Sequence, residues 1–74
     1  MGRRRYVGFV SEIRVLSREV GNPPFSPILK ATFEYTLKSG EVIQYVEDFG
    51  PEGIMNEGLD SLLRQLREVA GLIP

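Results

Sequence analysis

The chain has 74 residues and contains neither cysteine nor histidine. Disulfides are therefore impossible, and zinc or haem sites of the usual thiolate or imidazole kind, cysteine nucleophiles and histidine acid–base catalysis are all excluded. The formal net charge is −1, but residues 1–38 carry seven basic and three acidic side chains, a net +4, whereas residues 39–74 carry two and seven, a net −5. This uneven distribution indicates either a charged partner or assembly between copies of the chain.

A chain of this length is expected to form one small domain over residues 1–74, with a thin hydrophobic core. Small domains are often stabilised by a disulfide, a metal or a partner subunit, and we favour a partner subunit here. We expect no signal peptide and no membrane partner, because the apolar runs are too short. We therefore expect a cytoplasmic protein, or one in the host cytoplasm if its source is viral. We also expect no enzymatic activity, no cofactor and no bound metal.

The first predicted elements are a basic arm over residues 1–5 and a strand over residues 6–16. The strand is long for a small sheet, and Gly8 predicts a bulge or bend within it. Apolar side chains alternate along one face of the strand, interrupted by Ser11: Val7, Phe9, Ile13 and Val15. This alternation predicts that Phe9 lies in the core.

The same stretch partly matches the RNA-binding signature R-G-F-G-F-V-x-F. Four positions agree (Arg5, Gly8, Phe9 and Val10), whereas Tyr6, Val7 and Glu12 differ at the glycine and the two ring positions. In the RNA-recognition fold this signature lies on a third strand, so we do not expect a signature beginning at residue 5 to belong to that fold. The better interpretation is a solvated arm before an edge strand.

A looser contact with nucleic acid nevertheless stays open. Arginines can bind phosphates, and Tyr6 can stack on a base if its ring faces solvent. The candidate contacts with nucleic acid or with an acidic partner are Arg3, Arg4, Arg5, Tyr6, Arg14 and Arg18.

A loop is predicted over residues 17–27, because it contains three prolines and a Gly-Asn pair. Residues 24–27 match the P-x-x-P pattern of polyproline ligands. We favour a structural role, since prolines stiffen such a loop in any case.

Strands are predicted over residues 28–37 and 41–49, joined by a turn at Lys38-Ser39-Gly40. Strict alternation over residues 28–37 indicates one buried face and one mostly solvated face. A three-residue turn with Gly40 left-handed brings the aromatic side chains together, with three expected pairs: Tyr35–Ile43, Phe33–Tyr45 and Leu29–Phe49.

An acidic, glycine-rich linker over residues 50–56 precedes a predicted helix over residues 57–70. Asn56 is a candidate N-cap, and Gly71 suits the left-handed position after the helix. The acidic residues fit no calcium-binding loop, so we interpret them as solvated. The apolar stripe of the helix suits burial against the sheet, and its heptad-like spacing leaves a helix–helix seam as the alternative.

The predicted fold class is α+β: a three-stranded antiparallel sheet with one C-terminal amphipathic helix packed on one face. The leading functional hypothesis is a small non-enzymatic binding or regulatory module that acts as a homo-oligomer, with a dimer favoured and a protein as partner. The alternative is a nucleic-acid-binding protein, with single-stranded nucleic acid favoured. The candidate oligomer contacts are Val42, Val46, Leu62, Leu66 and Val69.

Overall fold

A computed structural model describes residues 8–74, which form a small α+β fold. Three antiparallel strands in these residues lie in the order β1-β2-β3 and are followed by one helix, α1. Their bounds are Val10–Val20 for β1, Ile28–Leu37 for β2, Val42–Asp48 for β3 and Asn56–Val69 for α1. The predicted fold class is confirmed.

β1 is displaced by four residues from the strand predicted over residues 6–16. Gly8 has φ +82° and belongs to a turn before the strand, so it does not bend the strand internally. At the other end, residues 17–20 pair with β2 and are not part of the loop. Pairing with the neighbouring strand thus overrides the weak local preferences of this segment.

A bulge at Ser11 changes which side chains of β1 reach the core. Val10 pairs with Leu37 and Glu12 pairs with Thr36, so Ser11 is an extra residue on β1. The bulge places Val10 and Ile13 in the core at 1% and 0% exposure, although they are three residues apart. Phe9 is 65% exposed, and its predicted burial was wrong.

The hairpin between β2 and β3 has the predicted register. Tyr35 pairs with Ile43 and Phe33 pairs with Tyr45. The Phe49 amide also donates to the Leu29 carbonyl over 2.9 Å, which continues this register beyond β3. Gly40 has φ +95°, as the three-residue turn requires.

The helix begins one residue earlier than predicted, because the N-cap is Met55 and Asn56 is its first residue. The side chain of Asn56 does not cap the helix; it accepts a hydrogen bond from Arg18 instead. After the C-cap the Gly71 amide donates to Glu68 and the Leu72 amide to Arg67, which is a Schellman motif. The predicted role of Gly71 is confirmed.

The core lies between α1 and one face of the sheet, here called the helix face. Its buried residues are Val10, Ile13, Ile28, Ala31, Phe33, Tyr35, Leu59, Leu66 and Ala70. The helix lies closest to β1. As a result, Ile43 and Tyr45 on β3 are only half-buried on this face.

Candidate functional site

Two of the arginines proposed as partner contacts, Arg14 and Arg18, lie on opposite faces of the sheet. Arg14 pairs with Glu34 on the face away from the helix, here called the open face. Arg18 pairs with the buried residue Ala31 on the helix face, and its Nη1 atom donates to Asn56 Oδ1 over 3.4 Å. A second bulge, at Leu16, separates them, so they do not form one basic surface.

The other proposed contacts, Arg3, Arg4, Arg5 and Tyr6, lie outside the described residues. Base stacking by Tyr6, which requires its ring to face solvent, therefore stays a prediction. The nucleic-acid hypothesis rests on this arm.

Arg14 belongs to a polar row that crosses all three strands on the open face. Its Nη2 atom donates to Glu34 Oε1 over 2.7 Å, and Gln44 Nε2 donates to Glu34 Oε2 over 2.9 Å. The hydrogen bond from Arg14, followed by the one from Gln44, lowers the pKa of Glu34 below its ordinary value. Hydrogen bonding to Glu34 likewise raises the pKa of Arg14. Arg14 thus has a partner within its own chain.

The proposed oligomer contacts divide into exposed and buried residues. Val42 and Val46 are 50% and 60% exposed on the open face of β3. Leu62 and Val69 are half-buried on α1. Leu66 is 2% exposed and belongs to the core. The structure therefore leaves β3 as the better-exposed part of this set.

The edge of the sheet formed by β1 is irregular. Bulges at Ser11 and Leu16 interrupt its pairing with β2, and bulges of this kind twist an edge away from further strands. Arg67 on α1 also donates from Nη2 to the Ile13 carbonyl oxygen over 2.9 Å. A backbone carbonyl of β1 is thus already hydrogen-bonded to a helix side chain.

The opposite edge, formed by β3, is regular. Its register with β2 runs without a shift from Val42 to Asp48, and the strand contains no proline, glycine or lysine. Among the described residues, no strand other than β2 pairs with β3. Regular, partly apolar edges without such interruptions are the ones that accept a further strand.

The direction of the free backbone groups on β3 follows from two hydrogen bonds at the ends of its pairing with β2. The Leu37 amide donates to the Glu41 carbonyl, and the Phe49 amide donates to the Leu29 carbonyl. Hydrogen-bonded pairs alternate along an antiparallel ladder, so the odd-numbered residues of β3 bond to β2. The amide and carbonyl groups that point away from β2 are those of Val42, Gln44, Val46 and Asp48.

Side chains on the helix face of β3 form a partly open aromatic surface. The rings of Phe33 and Tyr45 stack with centroids 5.6 Å apart, and the hydroxyl oxygens of Tyr45 and Tyr35 are 3.4 Å apart. Tyr45 and its neighbour Ile43 remain half-buried. A strand added to this edge would cover apolar surface on both faces of the sheet.

Another apolar feature lies at the end of the sheet. Phe25 and Met55, which are 76% and 48% exposed, border a cleft of about 580 Å³. Prolines of the loop after β1 and Leu29 complete much of its lining. The proline-rich loop that lines this cleft was predicted from the sequence. The position of Met55 beside that loop was not.

No protein-family model, no curated protein and no solved structure matches this chain. Within residues 8–74, no cluster of acidic residues could hold a metal ion. The same residues contain no helix long and apolar enough to cross a membrane.

Proposed function

We propose that the protein is a small non-enzymatic binding module that acts as a homo-oligomer, and that the edge of β3 is its contact surface. The observation that carries this proposal is the difference between the two edges of the sheet. Bulges and Arg67 interrupt β1, whereas β3 is regular and presents unbonded backbone groups. Strand addition at such an edge supplies backbone hydrogen bonds for affinity and side-chain pairs for specificity.

The small size of the fold supports the same proposal. Much of the apolar surface of β3 is exposed or half-buried, notably at Val42, Val46 and Tyr45. Burial of apolar surface contributes roughly 25 cal/mol per Å², so a second subunit on this edge would stabilise a thin core. Mass action then makes folding stability depend on protein concentration.

The test is a proline at the edge, Val46→Pro. The amide of Val46 points away from β2, so proline removes a donor for a partner strand and leaves the bonds of the β2–β3 hairpin in place. We expect sedimentation analysis to show a dimer for the native chain at high concentration and a monomer for Val46→Pro. The control is Val46→Thr, which keeps the amide and a β-branched side chain and should remain dimeric.

A second variant tests the same contact without a change in the backbone, in case the proline variant does not fold. Val46→Lys leaves the backbone unchanged and places two like charges in the contact, so it should also be monomeric with the circular dichroism of the native chain. A native chain that stays monomeric at every concentration would refute the proposal. So would a Val46→Lys variant that dimerises as well as the native chain.

A further inference from the structure

We infer that two copies of this chain pair through antiparallel β3 strands, with the two-fold axis at Gln44. The inference rests on the proposed function and adds the identity of the partner and the register of pairing. Two identical strands that pair in this way form an isologous contact, in which each residue meets its partner twice. The result would be one six-stranded sheet with a helix from each copy on the same face.

The direction of the free backbone groups limits the registers that are possible. Even-numbered residues of β3 carry the outward amides and carbonyls, so they must face even-numbered residues of the second copy. β3 has seven residues. The registers that keep at least five of these seven paired place the two-fold axis at Gln44, Tyr45 or Val46.

The side chains distinguish these three registers. An axis at Tyr45 places Val42 opposite the partner's Asp48 and Ile43 opposite the partner's Glu47. An axis at Val46 places Tyr45 opposite the partner's Glu47. Both registers thus set apolar side chains against carboxylates, which costs stability on a surface that becomes buried.

An axis at Gln44 instead places apolar side chains opposite apolar side chains on both faces of the sheet. Val42 lies opposite the partner's Val46 on the open face, and Ile43 lies opposite the partner's Tyr45 on the helix face. Aliphatic and aromatic–aliphatic pairs are the cross-strand pairs that stabilise sheets. Gln44 meets its own copy, and each Gln44 amide keeps its bond to Glu34 in its own chain.

The absence of cysteine from the chain allows a direct test by single-cysteine variants. Odd-numbered residues would form the non-hydrogen-bonded pairs of the new ladder, whose Cα atoms lie about 4.5 Å apart, within the range that a disulfide spans. We expect Ile43→Cys and Tyr45→Cys to cross-link when they are mixed and oxidised. Neither variant should cross-link with itself.

Other cross-links would overturn this register while leaving the proposed function intact. Self-cross-linking of Tyr45→Cys places the axis at Tyr45. Cross-linking of a mixture of Tyr45→Cys and Glu47→Cys places it at Val46. A dimer that forms none of these cross-links uses another surface, and a native chain that is always monomeric overturns both proposals.

A charge reversal provides a test that leaves the core aromatic residues in place. With the axis at Gln44, Glu41 lies opposite the partner's Glu47 just beyond the paired strands. Glu41→Lys would convert two repulsive pairs into attractive ones and should tighten the dimer about five-fold at low salt. Glu12→Lys makes the same charge change on β1, at the far edge, and should leave the dissociation constant unchanged. An unchanged or weaker Glu41→Lys dimer would contradict the register.

Discussion

Gly53 lies in the linker before α1, next to the residue that pairs with the start of β2. Ile28 and Ile54 exchange two backbone hydrogen bonds, of 2.7 and 2.9 Å, and so tie the linker to the start of β2. Gly53 has φ +70°, and a Cβ atom there would lie 2.6 Å from the Ile28 carbonyl oxygen. Both the backbone conformation and the available space therefore require glycine.

Alanine substitutions at Gly53 and Gly50 separate the cost of the left-handed backbone conformation from the cost of the steric clash. Gly50→Ala adds a methyl group at φ +83° in open space, so it should cost only about 1–2 kcal/mol for the left-handed conformation. Gly53→Ala adds the clash as well and should cost about 1–3 kcal/mol more. Urea denaturation measures both. Equal costs for the two variants would mean that the linker moves aside without loss.

For individual residues, the sequence predicted which side chains of β2 are buried and which residues form its turn. Both depend on neighbouring residues in the sequence. It did not predict that Val10 replaces Phe9 in the core. A bulge inserts one residue and reverses the alternation beyond it, and its position depends on pairing with Thr36 and Leu37 of β2. The polar residue that interrupted the apolar face, Ser11, was the available signal.

At the scale of elements, the N-terminus of α1 lacks a side-chain cap. Met55 holds the N-cap position with φ −88° and ψ 170°, the extended conformation that capping residues adopt, but its side chain makes no capping hydrogen bond. Asn56, which the sequence suggested for this role, bonds to Arg18. The helix is thus held by its packing and by its C-terminal Schellman motif.

A capping residue at position 55 should therefore stabilise the helix. Met55→Ser should be more stable than Met55→Ala by about 1 kcal/mol, because its hydroxyl can accept from a first-turn amide. The comparison with alanine cancels the loss of the methionine side chain, which is half-exposed. Thermal unfolding of the two variants provides the measurement. Equal midpoints would show that the first-turn amides are already satisfied.

The existence of each strand and of α1 was predictable from hydrophobic periodicity, while the ends of β1 were not. Residues 17–20 read as loop because they precede a proline-rich segment, yet Ser17 pairs with Thr32 and Arg18 with Ala31. These pairs join distant parts of the chain and leave no local pattern. The approach of Arg67 to Ile13 is hidden from the sequence for the same reason.

For the molecule as a whole, the row formed by Arg14, Glu34 and Gln44 links all three strands through one carboxylate. The folded state lowers the pKa of Glu34. A carboxyl group of this kind stabilises the fold fully above its ordinary pKa, about 4.3, and the stabilisation is lost as the pH falls through the lower pKa of the folded state. Acid should therefore remove the contribution of Glu34 to the stability of the fold.

The variant Glu34→Gln tests this linkage. At neutral pH it should be less stable than the native chain, and the difference should shrink as the pH falls below about 4.3. Glu52→Gln is the matched control, because it removes a carboxylate from the exposed linker and leaves the row formed by Arg14, Glu34 and Gln44 in place. Chemical denaturation at a series of pH values measures both. A Glu34→Gln difference that stays constant with pH would contradict the expected linkage.

The candidate site was only partly predictable. The exposure of Val42 and Val46 followed from alternation on β3, but the regularity of one sheet edge and the interruption of the other became visible only in the paired strands. Arg14 was predicted on a strand and Arg18 in a loop, whereas both lie on β1, where the bulge at Leu16 places them on opposite faces.

The irregularity of β1 also bears on whether self-association can stop. A sheet with two receptive edges can add copies without limit, and its natural end point is a fibre. When one edge is interrupted, two copies that pair through their regular edges form a sheet whose two outer edges are both interrupted, so no further copy can be added. If two copies pair through β3 as proposed, the bulges at Ser11 and Leu16 on the other edge would stop growth of the sheet at the dimer.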